Sequence, residues 1–138
     1  MLIAILGSTS EIAKDFIRLN TEHIIHPYGR YDAEDIFGYE YDAIINFVGA
    51  GDPSKIKTMG SEIIHVTDTY DELALDYVTR FPNTKYIFIS SGVVKQFPPT
   101  NAYHVAKLRA ELRHQYFDHP VVDIRVFSYF SHTQSDQS

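Results

Sequence analysis

Tyr103 and Lys107 stand four residues apart in the segment NAYHVAKLRAE, and the apolar run YIFIS ends just upstream at Ser90 and Ser91. On a helix this spacing puts the phenol and the ammonium on one face about one turn apart, where the cation favours the phenolate. A free phenol titrates near ~10, and general acid-base catalysis works best when the pKa approaches the operating pH. A neighbouring positive charge is therefore expected to make Tyr103 a usable acid or base. Ser91, at the carboxyl end of the preceding strand, can hydrogen-bond the same substrate oxygen. Together the three residues suit a hydride-transfer site. Tyr and Lys also fall at this spacing on ordinary amphipathic helices, so the rest of the chain must corroborate the pattern.

The first corroboration lies at the start of the chain. LIAIL is a continuous apolar run, as expected of a parallel strand buried on both faces, and it leads directly into Gly7, Ser8, Thr9 and Ser10, then Glu-Ile-Ala13. A glycine at the turn lets the backbone bend and approach a ligand, and the following helix N-terminus offers N–H groups and a positive dipole end to a pyrophosphate. Small residues at 7, 10 and 13 fit that use. The glycine fingerprint is altered, however, with Ser10 in the middle position and Ala13 in the last. A plain strand-to-helix turn capped by Ser8, Thr9 or Ser10 would look the same.

The chain has 138 residues, 44% of them hydrophobic, which suits one domain around one core. A formal net charge of −6 and the lack of a Lys/Arg run argue against nucleic-acid binding, which rests on phosphate neutralisation. The absence of cysteine excludes disulfides and thiolate metal sites and is compatible with a cytoplasmic location. The N-terminal apolar run is too short for a signal peptide, and no apolar stretch reaches the ~20 residues that span a bilayer. The seven histidines lack convergent ligand spacing, so no metal site is expected and surface or capping roles are assigned to them.

Along the chain, strand and helix alternate. A helix is expected from about Ser10 to Leu19, a short strand at His23 to His26 broken by HPYGRYD, and a turn or brief helix at Ala33 to Phe37. A buried strand follows from Ala43 to Val48, then a glycine-containing loop. Ile63, Val66, Tyr70, Leu73, Tyr77 and Phe81 recur every three or four residues within an amphipathic helix from Ser61 to Phe81. KYIFIS is the fourth strand, NAYHVAKLRAELRHQYF a helix, and VVDIRVFSYF the fifth strand. This alternation predicts an α/β, Rossmann-like, doubly wound parallel sheet of about five strands with helices on both faces. The domain is expected to span 1–131, with 132–138 a polar, disordered tail.

Four stretches, in order, resemble the extended short-chain dehydrogenase/reductase superfamily, specifically its NAD-dependent epimerase/dehydratase branch acting on nucleotide sugars. They are LGSTSEIA, DAIINFVGAG, YIFISSGVV and YHVAK; DIRVFSYFS also looks like the strand after that branch's catalytic helix. The resemblance covers Leu2 to about His132. It implies that Tyr103 is the proton donor or acceptor, that Lys107 holds the nicotinamide ribose and lowers the Tyr103 pKa, and that Ser91 fixes the reacting oxygen. It further implies a cofactor, NAD or NADP, held by Gly7, Ser8, Thr9, Ser10 and Ile12 at the pyrophosphate, by Phe47, Val48 and Gly49 behind the adenosine ribose, and by Tyr103 and Lys107. Arg30, just after the second strand, would meet the extra phosphate of NADP, or would be a solvated loop arginine beside Asp32. A homodimer through the two long helices is also implied.

The chain departs from the family at several points. Val94 is followed by Lys95 where the family has a tyrosine and glycine, and only QFPPT separates that point from Asn101, so a substrate loop is missing. Thr67 falls where the family usually has a central-helix asparagine. Little room is left between the second strand and DAIIN for an extra strand and helix, and the family's further strand and C-terminal substrate region have no counterpart. Two alternatives therefore stand beside a working oxidoreductase or epimerase. One is a shortened dinucleotide-binding module without turnover. The other is a flavodoxin-like flavin-binding protein, since five strands without the sixth would run 2-1-3-4-5.

Overall fold

The computed structural model describes residues 1–49, 60–96 and 98–126. Five parallel strands form one sheet in the order β2-β1-β3-β4-β5: β1 (Leu2–Leu6), β2 (Ile24–Tyr28), β3 (Ala43–Asn46), β4 (Lys85–Ser91) and β5 (Val121–Val126). Among the described residues three α-helices connect them, α1 (Glu11–Leu19), α2 (Glu62–Arg80) and α3 (Ala102–Gln115), with 3-10 turns at Ala33–Gly38 and Gly92–Lys95. The architecture is the Rossmann-like α/β sheet expected from the alternation of elements.

Period-two alternation sends the strands' side chains to two different cores. Ile3, Ile5 and Ile45 join Ala13 of α1 and Phe47 in one apolar cluster. Ala4, Leu6 and Ile44 pack with Ala74, Tyr77 and Val78 of α2, Ala110 of α3 and Phe88 in the other. Helix α1 thus covers one face, and the α2–α3 pair covers the opposite one. Toward the β5 edge of the α1 face the cover thins, and Val122 and Ile124 remain exposed. Among the described residues no helix is long and apolar enough to cross a membrane.

Two boundaries differ from expectation, each for a local reason. β2 runs on through Pro27 to Tyr28, paired with β1 to Leu6↔Tyr28, because β2 is an edge strand. A proline there sacrifices no ladder donor. β3 ends at Asn46 and not at Val48. Phe47 N–H still donates to Leu6 O at 2.9 Å, but Val48 N–H turns to the Asn46 side chain and Gly49 takes a positive φ of 76°. The expected extension of β5 to Phe130 and the 131/132 domain boundary lie outside the described residues.

Candidate functional site

Because all five strands are parallel, the residues that follow them emerge along one edge of the sheet. β1 is flanked by β2 on one side and β3 on the other, so the chain leaves it in opposite directions and a crevice opens above it. Gly7 turns there with φ 71°, and a Cβ on it would stand 2.7 Å from Val48 N. Only glycine fits so tight a passage between β1 and the end of β3. Ser10 caps α1, its Oγ accepting Ala13 N–H at 3.2 Å. Gly29, after β2, adjoins Ser8: a Cβ there would lie 4.0 Å from the Ser8 hydroxyl. The Arg30 loop therefore borders the β1–α1 turn. Asp32 Oδ1 accepts Gly29 N–H at 2.7 Å, and Tyr70 OH donates to Arg30 O at 2.9 Å, which pins this backbone and leaves the Arg30 side chain exposed.

Ser91, Tyr103 and Lys107 are brought together at the same edge. Ser91 ends β4 and caps the following 3-10 turn, accepting Val93 N–H at 3.3 Å. Asn101 caps α3 through His104 N–H at 2.8 Å, which sets Tyr103 in the first turn and Lys107 one turn later. Tyr103 and Ser91 share a side-chain hydrogen bond. Lys107 is fully buried, and its Nζ donates to Val48 O at 3.1 Å and to Ile89 O at 3.0 Å. Nζ also lies 4.7 Å from the Phe88 ring centroid and 5.7 Å from that of Tyr103.

Two electrostatic features differ from expectation. Burial raises the Tyr103 phenol above its ordinary value, and the bond to Ser91 offsets this only in part. Lys107 does not bring the phenol down in the free protein because its own charge is weakened. Burial pushes the ammonium to about 7, against the pull of the Asp71 and Glu111 carboxylates. Beside it, a Cβ on Gly49 would meet Thr67 Oγ1 at 3.0 Å and Lys107 Nζ at 3.4 Å, and Thr67 Oγ1 is buried without a hydrogen-bond partner. A ligand hydroxyl or a water can use that lone acceptor and the third Lys107 N–H.

Of the remaining expected cofactor residues, Phe47 is buried and tilts against Phe16 at 5.8 Å, while Ile12 packs at the margin of the same cluster. Both support the turn from beneath. Surface or capping roles do not hold for every histidine: His104 and His114 are buried. His114 is drawn inside by two carboxylates, with Nε2 2.6 Å from Asp71 Oδ1 and Nδ1 2.6 Å from Asp123 Oδ1. Asp71 also accepts from Tyr86 OH at 2.5 Å and Arg113 Nη1 at 2.6 Å. Among the described residues no group of three His, Asp or Glu side chains is arranged to hold a metal ion.

Asn46 escaped the sequence reading as a site residue. It is completely buried at the end of β3, where its Oδ1 accepts Val48 N–H at 2.9 Å. Its visible signal was a polar residue closing an otherwise apolar strand.

No protein-family model and no curated protein matches the sequence. Solved structures do. RMD from Pseudomonas aeruginosa, complexed with NADPH, superposes with a TM-score of 0.77 at 19% identity, covering 99% of this chain and 57% of that one. A dTDP-4-dehydrorhamnose reductase from Clostridium acetobutylicum gives 0.71 at 12% identity over 91% and 52%. UDP-glucose 4-epimerase from Bifidobacterium longum, in complex with NAD+ and UDP, gives 0.64 at 20% identity over 91% and 52%. The chain spans little more than half the length of these structures. What it shares with them is the fold, a Rossmann-like parallel sheet.

Proposed function

We propose that this chain is a nicotinamide-dinucleotide-binding protein of the extended short-chain dehydrogenase/reductase type, acting on a nucleotide sugar through Ser91, Tyr103 and Lys107. The observation that carries the reading is the meeting of these three side chains beside Gly49, at the sheet edge where the Gly7 turn opens. The solved structures of similar fold add support, since the names of two describe a dTDP-sugar reductase and a UDP-sugar epimerase, and two are complexes with NADPH or NAD+.

The residues fit a dinucleotide. Ser8 and Ser10 N–H are spent on Tyr28 O and Gly7 O in shaping the turn, so the N-terminus of α1 offers the N–H groups to a pyrophosphate, and Thr67 Oγ1 with the third Lys107 proton offers an unused acceptor and donor near a ribose. A nicotinamide held there would supply the hydride chemistry. Tyr103, held as a neutral phenol by burial, is ready to donate a proton to a substrate oxygen in the reductive direction. Ser91 orients that oxygen, and Lys107 holds the ribose.

Titration of the purified protein with NADH and NADPH, followed by nicotinamide fluorescence, tests this. Saturable binding that survives Tyr103→Phe and weakens with Lys107→Ala is expected. Indifference to both nucleotides would overturn the reading. Two other readings each have an observation behind them. The short QFPPT segment between the Ser91 strand and Asn101 favours binding without turnover, which would show as nucleotide binding with no reaction on UDP- or dTDP-sugars. The strand order favours a flavodoxin-like flavin protein, which would be yellow when purified, but that reading leaves Tyr103 and Lys107 without a purpose. A homodimer and a cytoplasmic location belong to the main proposal, the former checked by light scattering.

A further inference from the structure

We propose that Asn46 is a positioning residue for Lys107, clamping the Val48 backbone onto which the lysine donates and tying it through Tyr86 to the buried Asp71–His114 pair. Val48 lies beyond the last ladder pair of β3, Leu6↔Asn46, and so has no strand partner for its N–H. The next residue, Gly49, stands at φ 76°, a conformation that glycine permits but does not enforce. The Val48 carbonyl would therefore be loosely held without a side-chain clamp.

The Asn46 amide supplies it. Oδ1 accepts Val48 N–H at 2.9 Å while Nδ2 donates to Tyr86 OH at 3.0 Å. The opposite amide orientation would set two donors face to face at Val48, so the assignment is fixed by the neighbours. Tyr86 OH in turn donates to Asp71 Oδ1 at 2.5 Å, and His114 joins Asp71 to Asp123 on β5. At the other end Val48 O receives the Lys107 proton at 3.1 Å. A continuous hydrogen-bonded chain thus runs from β5 to the lysine, buried from His114 onward. Every side chain between Asp71 and Lys107 is inaccessible to solvent, so water cannot substitute for a missing member. Among the described residues no carboxylate touches Lys107 directly. Its charge is sheltered by two carbonyls, and the position of the Val48 carbonyl decides how well.

The inference takes its functional meaning from the proposed dinucleotide site, but its test needs no nucleotide. Lysine labelled with 13C at Cε reports the Lys107 titration in the free protein, with a midpoint of about 7 expected for the unmodified chain. Asn46→Leu and Tyr86→Phe are each expected to lower that midpoint by about one unit, a tenfold loss of the charged form at a given pH. Asn46→Asp keeps an acceptor for Val48 N–H and should hold the midpoint at or above its original value. Tyr86→Phe preserves the ring packing and keeps the test open if Asn46→Leu fails to fold. An unchanged midpoint in the folded variants would overturn the proposal. If the midpoints move as stated while the protein binds neither nucleotide, the proposed function fails and the positioning role stands.

Discussion

The Asp71 carboxylate and the His114 imidazole meet 2.6 Å apart at side chains 0% and 2% exposed, where α2, α3 and β5 join. Burial alone would lower the His114 pKa, but the hydrogen bonds to Asp123 and Asp71 reverse this and push it up to about 9. Its charged form therefore stabilises the fold fully below ~6.5, the unfolded value, and that contribution is lost as pH rises through about 9. Lys107 acts in the opposite sense. Its folded pKa of about 7 lies below the ordinary lysine value of 10.5, so it adds stability as pH rises above about 7. The two slopes oppose each other between about 7 and 9. Lys107→Met should unmask the histidine, with urea-unfolding stability falling across this window by at most ~1.4 kcal/mol per pH unit. A flat profile in Lys107→Met would mean that His114 is not charged.

Gly7 and Gly60 both have positive φ, 71° and 56°, yet their surroundings differ. A Cβ at Gly7 would strike the Val48 backbone at 2.7 Å, whereas nothing lies within 4 Å of one at Gly60. Gly60→Ala should cost only the left-handed conformation, about 1 kcal/mol. Gly7→Ala adds a collision with backbone that cannot swing aside and should cost about 3 kcal/mol or more, with loss of dinucleotide binding. Equal unfolding midpoints for the two variants would contradict the close β1–β3 passage.

The strands were the legible part of the fold because burial on both faces forces continuous apolar runs, as in LIAIL and AIIN. The Tyr103–Lys107 pair was legible because a helical turn is a local constraint. The links from Asn46 to Tyr86 and from Asp71 to His114 join residues 40 and 43 positions apart, so no sequence period marks them. One hint was present on α2, where Thr67 and Asp71 occupy the buried stripe that also holds Ile63, Ala74 and Val78. Polar residues on such a stripe need partners inside. The electrostatics of the site differ from the sequence expectation for a related reason. A Tyr–Lys spacing reveals the neighbouring charge but not the burial that weakens it.

Arg30 and Asp32 take different roles in the loop after β2. The Asp32 carboxylate is folded back onto Gly29 N–H and is thus engaged with its own backbone, while the Arg30 side chain extends into solvent beside the β1–α1 turn. An acid that accepts ribose hydroxyls would favour NAD, and a base favours the extra phosphate of NADP. NADPH should therefore bind more tightly than NADH, and Arg30→Ala should weaken NADPH about tenfold, roughly 1.4 kcal/mol, without changing NADH. Equal losses for both nucleotides in the fluorescence titration would remove Arg30 from the phosphate site.

Ser91 holds Tyr103 through the one interaction that opposes the effect of burial on the phenol. Ser91→Ala removes that bond and leaves a small gap at the end of β4, so the phenol should titrate still higher. A neutral hydrogen bond is worth about 0.5–1.5 kcal/mol, and its loss leaves the effect of burial unopposed. Tyrosine labelled with 13C at Cζ, with Tyr103→Phe to assign the resonance, reads the shift directly. In a turnover assay the same variant should slow proton return more than nucleotide binding, because the proposed mechanism assigns the hydroxyl to the reacting oxygen and not to the dinucleotide. A Tyr103 titration unmoved by Ser91→Ala would show that the phenol and the hydroxyl do not act as a pair.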